Sequence, residues 1–415
     1  MSRAARLAAL LLAACCCPFP SPAAPPAAAP PAGSAAAVPG PDIAALERTV
    51  AGLRELSWKR PVAVRRVSRE EALAKLRAMV AEELPPARAA DLAALLGKLG
   101  LLPEGYPLER KLGELLAEQV AGFYVAAEGT LYVPELDDAA RQALGGNLDL
   151  GRRTILAHEL DHALTDQHFD LGRLLEDPSL RDRDDVLFAR KALAEGDATL
   201  LMMLAMMKAA GMPLSREAFP SGQMLRQMFD LVGTGLYPRL DAAPPWLREQ
   251  LVEPYVLGLE LVVDTWKAGG WKAVDALWRH PPASTEQLLH PDRRDDVPTP
   301  VTLPRLRGRA AQVTVELGEL GTRGWLAAVL PRDRAAAAAA GWDGDRAGLW
   351  KDPGGAWRVR WRSTWDTEAD AREFTVAARE RLAGKAPAGC TWRVSRRGKD
   401  VEIAMDGLPP VGAGR

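Results

Sequence analysis

The sequence predicts an α+β fold that is mainly helical, with a short β-hairpin inside the helical part and a small α+β unit at the C-terminal end. Three observations predict it. Apolar residues recur at helical spacing over most of the first 280 residues, two aromatic and β-branched runs flank Glu128-Gly129, and alternating segments appear only after a stretch rich in Asp, Arg and Pro at 292–304.

Taken in order, helical signals begin at Ile43, and a β-branched run at 62–67 precedes Ser68-Arg69-Glu70-Glu71, a capping-box start for a helix through Leu73, Leu76 and Val80. Further helical pieces reach about Glu118. The runs 120–125 and 130–133 then read as the hairpin. Helical spacing returns at 152–168, and a longer helix is expected from about Asp185 to Ala210, with Gly211 as its stop. Helices continue through 273–278. Past a boundary near residue 298, the segments 312–317, 357–361 and 392–394 alternate as strands do, and 368–382 reads as a helix.

Composition bounds the function. The chain has 415 residues, 48% of them hydrophobic, which is enough for two folded units. Its 53 basic and 54 acidic residues leave a formal charge of -1, so it lacks the basic footprint of a nucleic-acid binder. Cys15, Cys16 and Cys17 lie together and Cys390 stands alone, a pattern that does not suit a disulfide framework.

The first residues read as an address. Arg3 and Arg6 precede an apolar run, Leu7 to Ala14, that is too short to span a bilayer. Leu12-Ala13-Ala14-Cys15 resembles the lipobox of bacterial lipoproteins, which implies cleavage after residue 14, acylation of Cys15 and a lipid anchor to a membrane outside the cytoplasm. Residues 15–41, almost wholly Pro, Ala, Gly and Ser after the cysteines, read as a linker. The expected organisation is a signal peptide at 1–14, the lipidated Cys and linker at 15–41, a main domain at 42–298 and the small unit at 299–415.

The chemistry concentrates in Thr154-Ile155-Leu156-Ala157-His158-Glu159-Leu160-Asp161-His162-Ala163-Leu164. Residues four apart on a helix lie about 40° apart around its axis, so His158 and His162 stack on one face and can grip one ion. Imidazole nitrogen suits zinc (Zn2+), and a catalytic zinc takes three protein ligands and leaves a fourth position for water. Glu159 stands beside the first histidine, placed to take a proton from that water. Chance alone would put His-Glu-x-x-His in about four of every thousand chains of this composition, so coincidence is a poor explanation. The charged Asp161 inside the motif is unusual for a buried helix.

Around this motif the chain resembles the zincin metallopeptidases, and more narrowly the gluzincins, whose third ligand is a glutamate on a later helix. The resemblance implies Glu195, in Ala194-Glu195-Gly196-Asp197-Ala198, where Gly196 would let its helix approach the first one closely. His168 is a rival third ligand, ten residues after His158 as in the metzincin motif. That motif turns its chain with a glycine where this sequence has Thr165, so Glu195 is placed ahead. Thr165-Asp166-Gln167-His168-Phe169 also resembles the continuation seen in bacterial secreted or lipid-anchored proteins of metallopeptidase type.

The expected function is zinc-dependent cleavage of peptide or protein substrates, with Glu159 as general base and His158, His162 and Glu195 as ligands. The alternative is an inactive zincin scaffold that binds partners in the envelope. The hairpin is expected to offer an edge strand to substrate. Tyr124 and His290 are candidate oxyanion stabilisers, and Asp161, Asp166 or Asp197 could orient a ligating imidazole. Met202, Met203, Met206 and Met207 read as core filler. The tryptophans around Trp342-Asp343-Gly344-Asp345 and at 361–365 read as core aromatics with turn residues.

Overall fold

The computed structural model describes residues 42–119, 122–135, 148–180, 182–232, 238–352, 355–383 and 389–411. The expected signal peptide, Cys15 and linker lie outside the described residues. The fold is α+β and mainly helical, as the sequence predicts, with two small sheets.

The chain enters through helix α1 (Ile43–Arg54), whose first turn is capped by Asp42, and strand β1 (Ala63–Val67). Helix α2 (Arg69–Glu83) starts with the capping box read from the sequence, in which Ser68 and Glu71 each bond the other's backbone N–H. Helices α3 (Pro86–Leu99) and α4 (Leu108–Gln119) lead to strands β2 (Phe123–Val125) and β3 (Thr130–Pro134). The hairpin forms as expected, with Phe123 opposite Tyr132. The structure adds β1 parallel to β3, giving the order β1-β3-β2 and leaving β2 at an edge. A strand partner more than sixty residues away leaves no local trace in the sequence.

Helix α5 (Leu148–Phe169) carries the two-histidine motif. It is followed by the short α6 (Leu171–Glu176) and by α7 (Asp184–Ala209), which carries Glu195. Helices α8 (Gly222–Val232) and α9 (Pro238–Asp241) precede the long α10 (Pro245–Arg279), kinked at Gly270, and the short α11 (Thr285–Leu289). Helix α7 is buried nearly all round between α5 and α10. Its closest neighbour corrects one expectation. Gly196 meets α10, where a Cβ added to it would lie 2.1 Å from the carbonyl oxygen of Gly258, and one on Gly258 would lie 1.8 Å from that of Ala192. The glycine pair brings α7 against α10 rather than against α5.

The C-terminal part contains β4 (Val313–Val315), α12 (Gly318–Ala327), α13 (Arg332–Ala339), β5 (Trp342–Lys351), β6 (Trp357–Trp365), α14 (Glu368–Leu382), β7 (Thr391–Arg397) and β8 (Asp400–Leu408). Its antiparallel sheet has the order β4-β5-β6-β8-β7. The tryptophans are core, as read. The stretch expected to be a turn is instead β5, and Asp345 lies within it. This fully enclosed carboxylate accepts from the backbone N–H groups of Leu317 and Gly318 and from the indoles of Trp342 and Trp361, at 2.8–3.2 Å. Burial still pushes its carboxyl up to about 7, against the pull of those bonds. One hydrophobic cluster joins this sheet to α3 and α4, through residues such as Leu95, Leu96, Leu112, Trp325, Trp361 and Phe374. Across that junction Trp325 donates its indole N–H to the carbonyl of Leu99 at 2.8 Å.

Candidate metal centre

The apolar residues around the motif, Leu156, Ala157, Leu160, Ala163 and Leu164, seat α5 in the second core cluster, with Leu193, Ala194, Leu200 and Leu201 of α7 facing them. That packing brings the imidazoles of His158 and His162 against the carboxylate of Glu195. The two Nε2 atoms are 3.1 Å apart, and Glu195 Oε2 lies 3.2 Å from the first and 3.6 Å from the second. The rings meet edge to face, and Tyr255 of α10 stacks alongside His158.

Protons alone fit this triangle poorly. Each ring nitrogen either donates or accepts, so two N–H groups would collide with each other, and one cannot serve all three contacts. A small divalent cation fits better, since tetrahedral bonds of about 2.1 Å put the donors about 3.4 Å apart. The observed spacings of 3.1, 3.2 and 3.6 Å bracket that value. Nitrogen and carboxylate oxygen are also the donor types such ions accept, so the cluster can hold a metal ion.

The protonation states follow from the same closeness. Burial opposes the charge on Glu195, but hydrogen bonds and charge from both imidazoles outweigh it and hold the carboxyl at about 2. Burial pushes His158 down. At His162 burial is outweighed by Glu195, aided by Glu159 and Asp161, which raise it to about 9. In the metal-free cluster His162 is therefore an imidazolium at neutral pH, and an entering ion must displace its extra proton. Titration calorimetry at pH 7 in buffers of different ionisation enthalpy is expected to show about one proton released per ion bound. Affinity should rise with pH up to about 9, where the proton is lost anyway; a pH-independent affinity would contradict this assignment.

Glu159, the residue after His158 on α5, is fully buried, and its Oε2 accepts the backbone N–H of Tyr124 at 2.8 Å. The edge strand β2 thus meets the motif helix at the carboxylate expected to act as base. The Tyr124 hydroxyl points elsewhere, donating to Asp166 Oδ2 at 2.7 Å, and burial together with that carboxylate pushes its pKa up. Asp166 also accepts the N–H of Leu171, which closes the turn from α5 into α6.

Other expected residues fall outside the cluster. His168 is within hydrogen-bond reach of the Ser57 carbonyl, 2.8 Å away, and takes no part in the triangle. His290 lies against Glu319 and Arg323 near the C-terminal sheet. Asp197 binds Arg54 and Trp278 rather than an imidazole. Asp161 is buried with neither carboxylate oxygen hydrogen-bonded, and burial and Asp197 push its carboxyl well up. Sequence reasoning missed Arg54 and Tyr255; a buried arginine at the end of a short helix has no local signature. Glu286, Asp296 and Asp366 form a second acidic group, but Arg293 already bridges two of them.

No described helix is long and apolar enough to cross a membrane. No curated protein and no solved structure matches the chain. A family model described as a domain of unknown function (DUF8575) matches residues 305–407, which places the similarity in the C-terminal sheet and outside the metal cluster.

Proposed function

We propose that this chain is a zinc-dependent peptidase, with His158, His162 and Glu195 as ligands and Glu159 as general base. The observation that carries the reading is the convergence of two imidazoles and a carboxylate, at metal-binding separations, one residue away from a second carboxylate seated at a sheet edge. Bound zinc would act as a Lewis acid toward the attacking water and the scissile carbonyl. The chain's own residues do the rest. Glu159, held by the Tyr124 N–H, takes the proton from the attacking water and returns it to the leaving amine. The edge strand β2 supports an extended peptide as substrate, laid alongside it as a further strand. The sequence supports the remaining parts: acylation of Cys15, an extracytoplasmic lipid anchor, and a catalytic domain at 42–298 joined to the unit at 299–415.

A second reading, a metal-stabilised scaffold without turnover, is favoured by one feature. His158, Glu159 and Glu195 are 0% exposed and His162 is 2% exposed, and closed sites are the mark of structural metals. One variant separates the readings. Glu159→Gln is expected to keep stoichiometric zinc while losing at least about 100-fold in peptide hydrolysis, the lower end of what general-base catalysis contributes. Equal activity in that variant, or no activity in either protein, would exclude Glu159 as the base.

A further inference from the structure

Arg54 is the last residue of α1, and its side chain is wholly buried. Its guanidinium forks onto Asp197, with Nε 3.0 Å from Oδ1 and Nη2 3.0 Å from Oδ2, and Nη2 reaches Asp275 at 2.8 Å. Trp278 donates to the same Asp197 carboxylate at 2.6 Å, and the ring of Trp271 covers the guanidinium at 4.3 Å. Asp197 stands two residues beyond Glu195 on α7. Helix α1, which carries Arg54, packs against both α5 and α7. A single cation, which proteins cannot deprotonate, is thus shared by a carboxylate of α7 and one of α10.

We propose that Arg54 is a positioning residue of the metal centre: by forking from α1, which packs against α5, onto Asp197, two residues beyond Glu195 on α7, it holds Glu195 where both imidazoles meet it. The proposal rests on the metal-binding part of the reading above and is independent of peptide cleavage. Without Arg54, the buried Asp197 carboxylate, two residues from Glu195, is left without its cation, and the turn of α7 that carries both is free to shift. A purely structural ion pair would act differently. It would lower the unfolding temperature and leave the affinity of the folded protein for metal unchanged.

The test uses the full chain and Zn²⁺ competition against a chromophoric chelator, with circular dichroism to establish that each variant is folded. Arg54→Met is expected to weaken Zn²⁺ binding by about 10–100-fold, the range for residues that orient metal ligands. Arg54→Lys, which keeps the charge but loses the fork, is expected to fall between it and the unmodified chain. Asp197→Asn added to Arg54→Met should recover part of the loss, because the uncompensated carboxylate is gone; no recovery would overturn the share given to the Asp197 charge. An affinity within twofold of the unmodified chain in folded Arg54→Met overturns the proposal. If that variant does not fold, the same outcome in Arg54→Lys does so. Should the unmodified chain bind no Zn²⁺, the metal reading itself has failed, which is a separate result.

Discussion

Glu195→Ala is expected to cost more than about 100-fold in metal affinity, beyond what outer residues contribute, while His168→Ala keeps the metal. The contrast follows from where the two side chains point. Glu195 Oε2 is within 3.6 Å of both ring nitrogens, whereas the His168 ring nitrogen lies 2.8 Å from the Ser57 carbonyl. Removing Glu195 takes away a ligand atom and also the group chiefly responsible for the charge state of His162. Glu195→Gln separates the two effects, since the amide keeps an oxygen in place without the charge. Metal content after dialysis, read beside the folded content of each variant, checks the expectation. Metal retained in Glu195→Ala and lost in His168→Ala would move the third ligand to His168.

Gly196→Ala should damage the fold at its centre. The added methyl would stand 2.1 Å from the carbonyl oxygen of Gly258, and both atoms belong to helix backbone that cannot rotate away. Overpacking commonly costs about 1–3 kcal/mol, and a clash of backbone against backbone belongs at or above the upper end. Gly258→Ala should match it, because its own methyl would stand 1.8 Å from the carbonyl of Ala192. Denaturant unfolding of the metal-free protein measures the cost. Because residue 196 adjoins Glu195, the first variant should also weaken metal binding. Unchanged stability in both would mean that α7 and α10 do not cross at these glycines.

What the sequence could reveal depended on whether the cause was local. Four-residue spacing fixes the relative direction of two side chains on a helix, so the pairing of His158 with His162 was readable before any fold was known. Glu195 was reachable chiefly through a family resemblance, aided by the cost of an unpaired carboxylate in a stretch dense in Leu, Ala and Met. The Ser68 capping box and the helix at 368–382 were likewise written in neighbouring residues. Arg54 was not, since its partner Asp197 is 143 residues away and Leu53-Arg54-Glu55 looks like any exposed helix end. Strand β5 was masked by its punctuation. Gly344 and Gly348 suggest turns, yet they sit mid-strand because the chain at 299–303 crosses the sheet there; a Cβ on Gly344 would lie 2.1 Å from the Thr299 carbonyl oxygen. The direction of Gly196 was misjudged for a similar reason, because a glycine announces a close approach without saying which element approaches.

The core shared by α3, α4 and the C-terminal sheet bears on how portable the family-matched segment is. Residues 305–407 supply the sheet and three helices, but Leu95, Leu96 and Leu112 complete the same apolar interior, and the Trp325 indole is satisfied by Leu99. Cut out at the limits of the match, the segment would face water with that interior open and one buried donor stranded. Wherever the same segment occurs in another chain, some other element must close that side. The boundary of sequence similarity and the boundary of autonomous folding therefore fall at different places in this molecule.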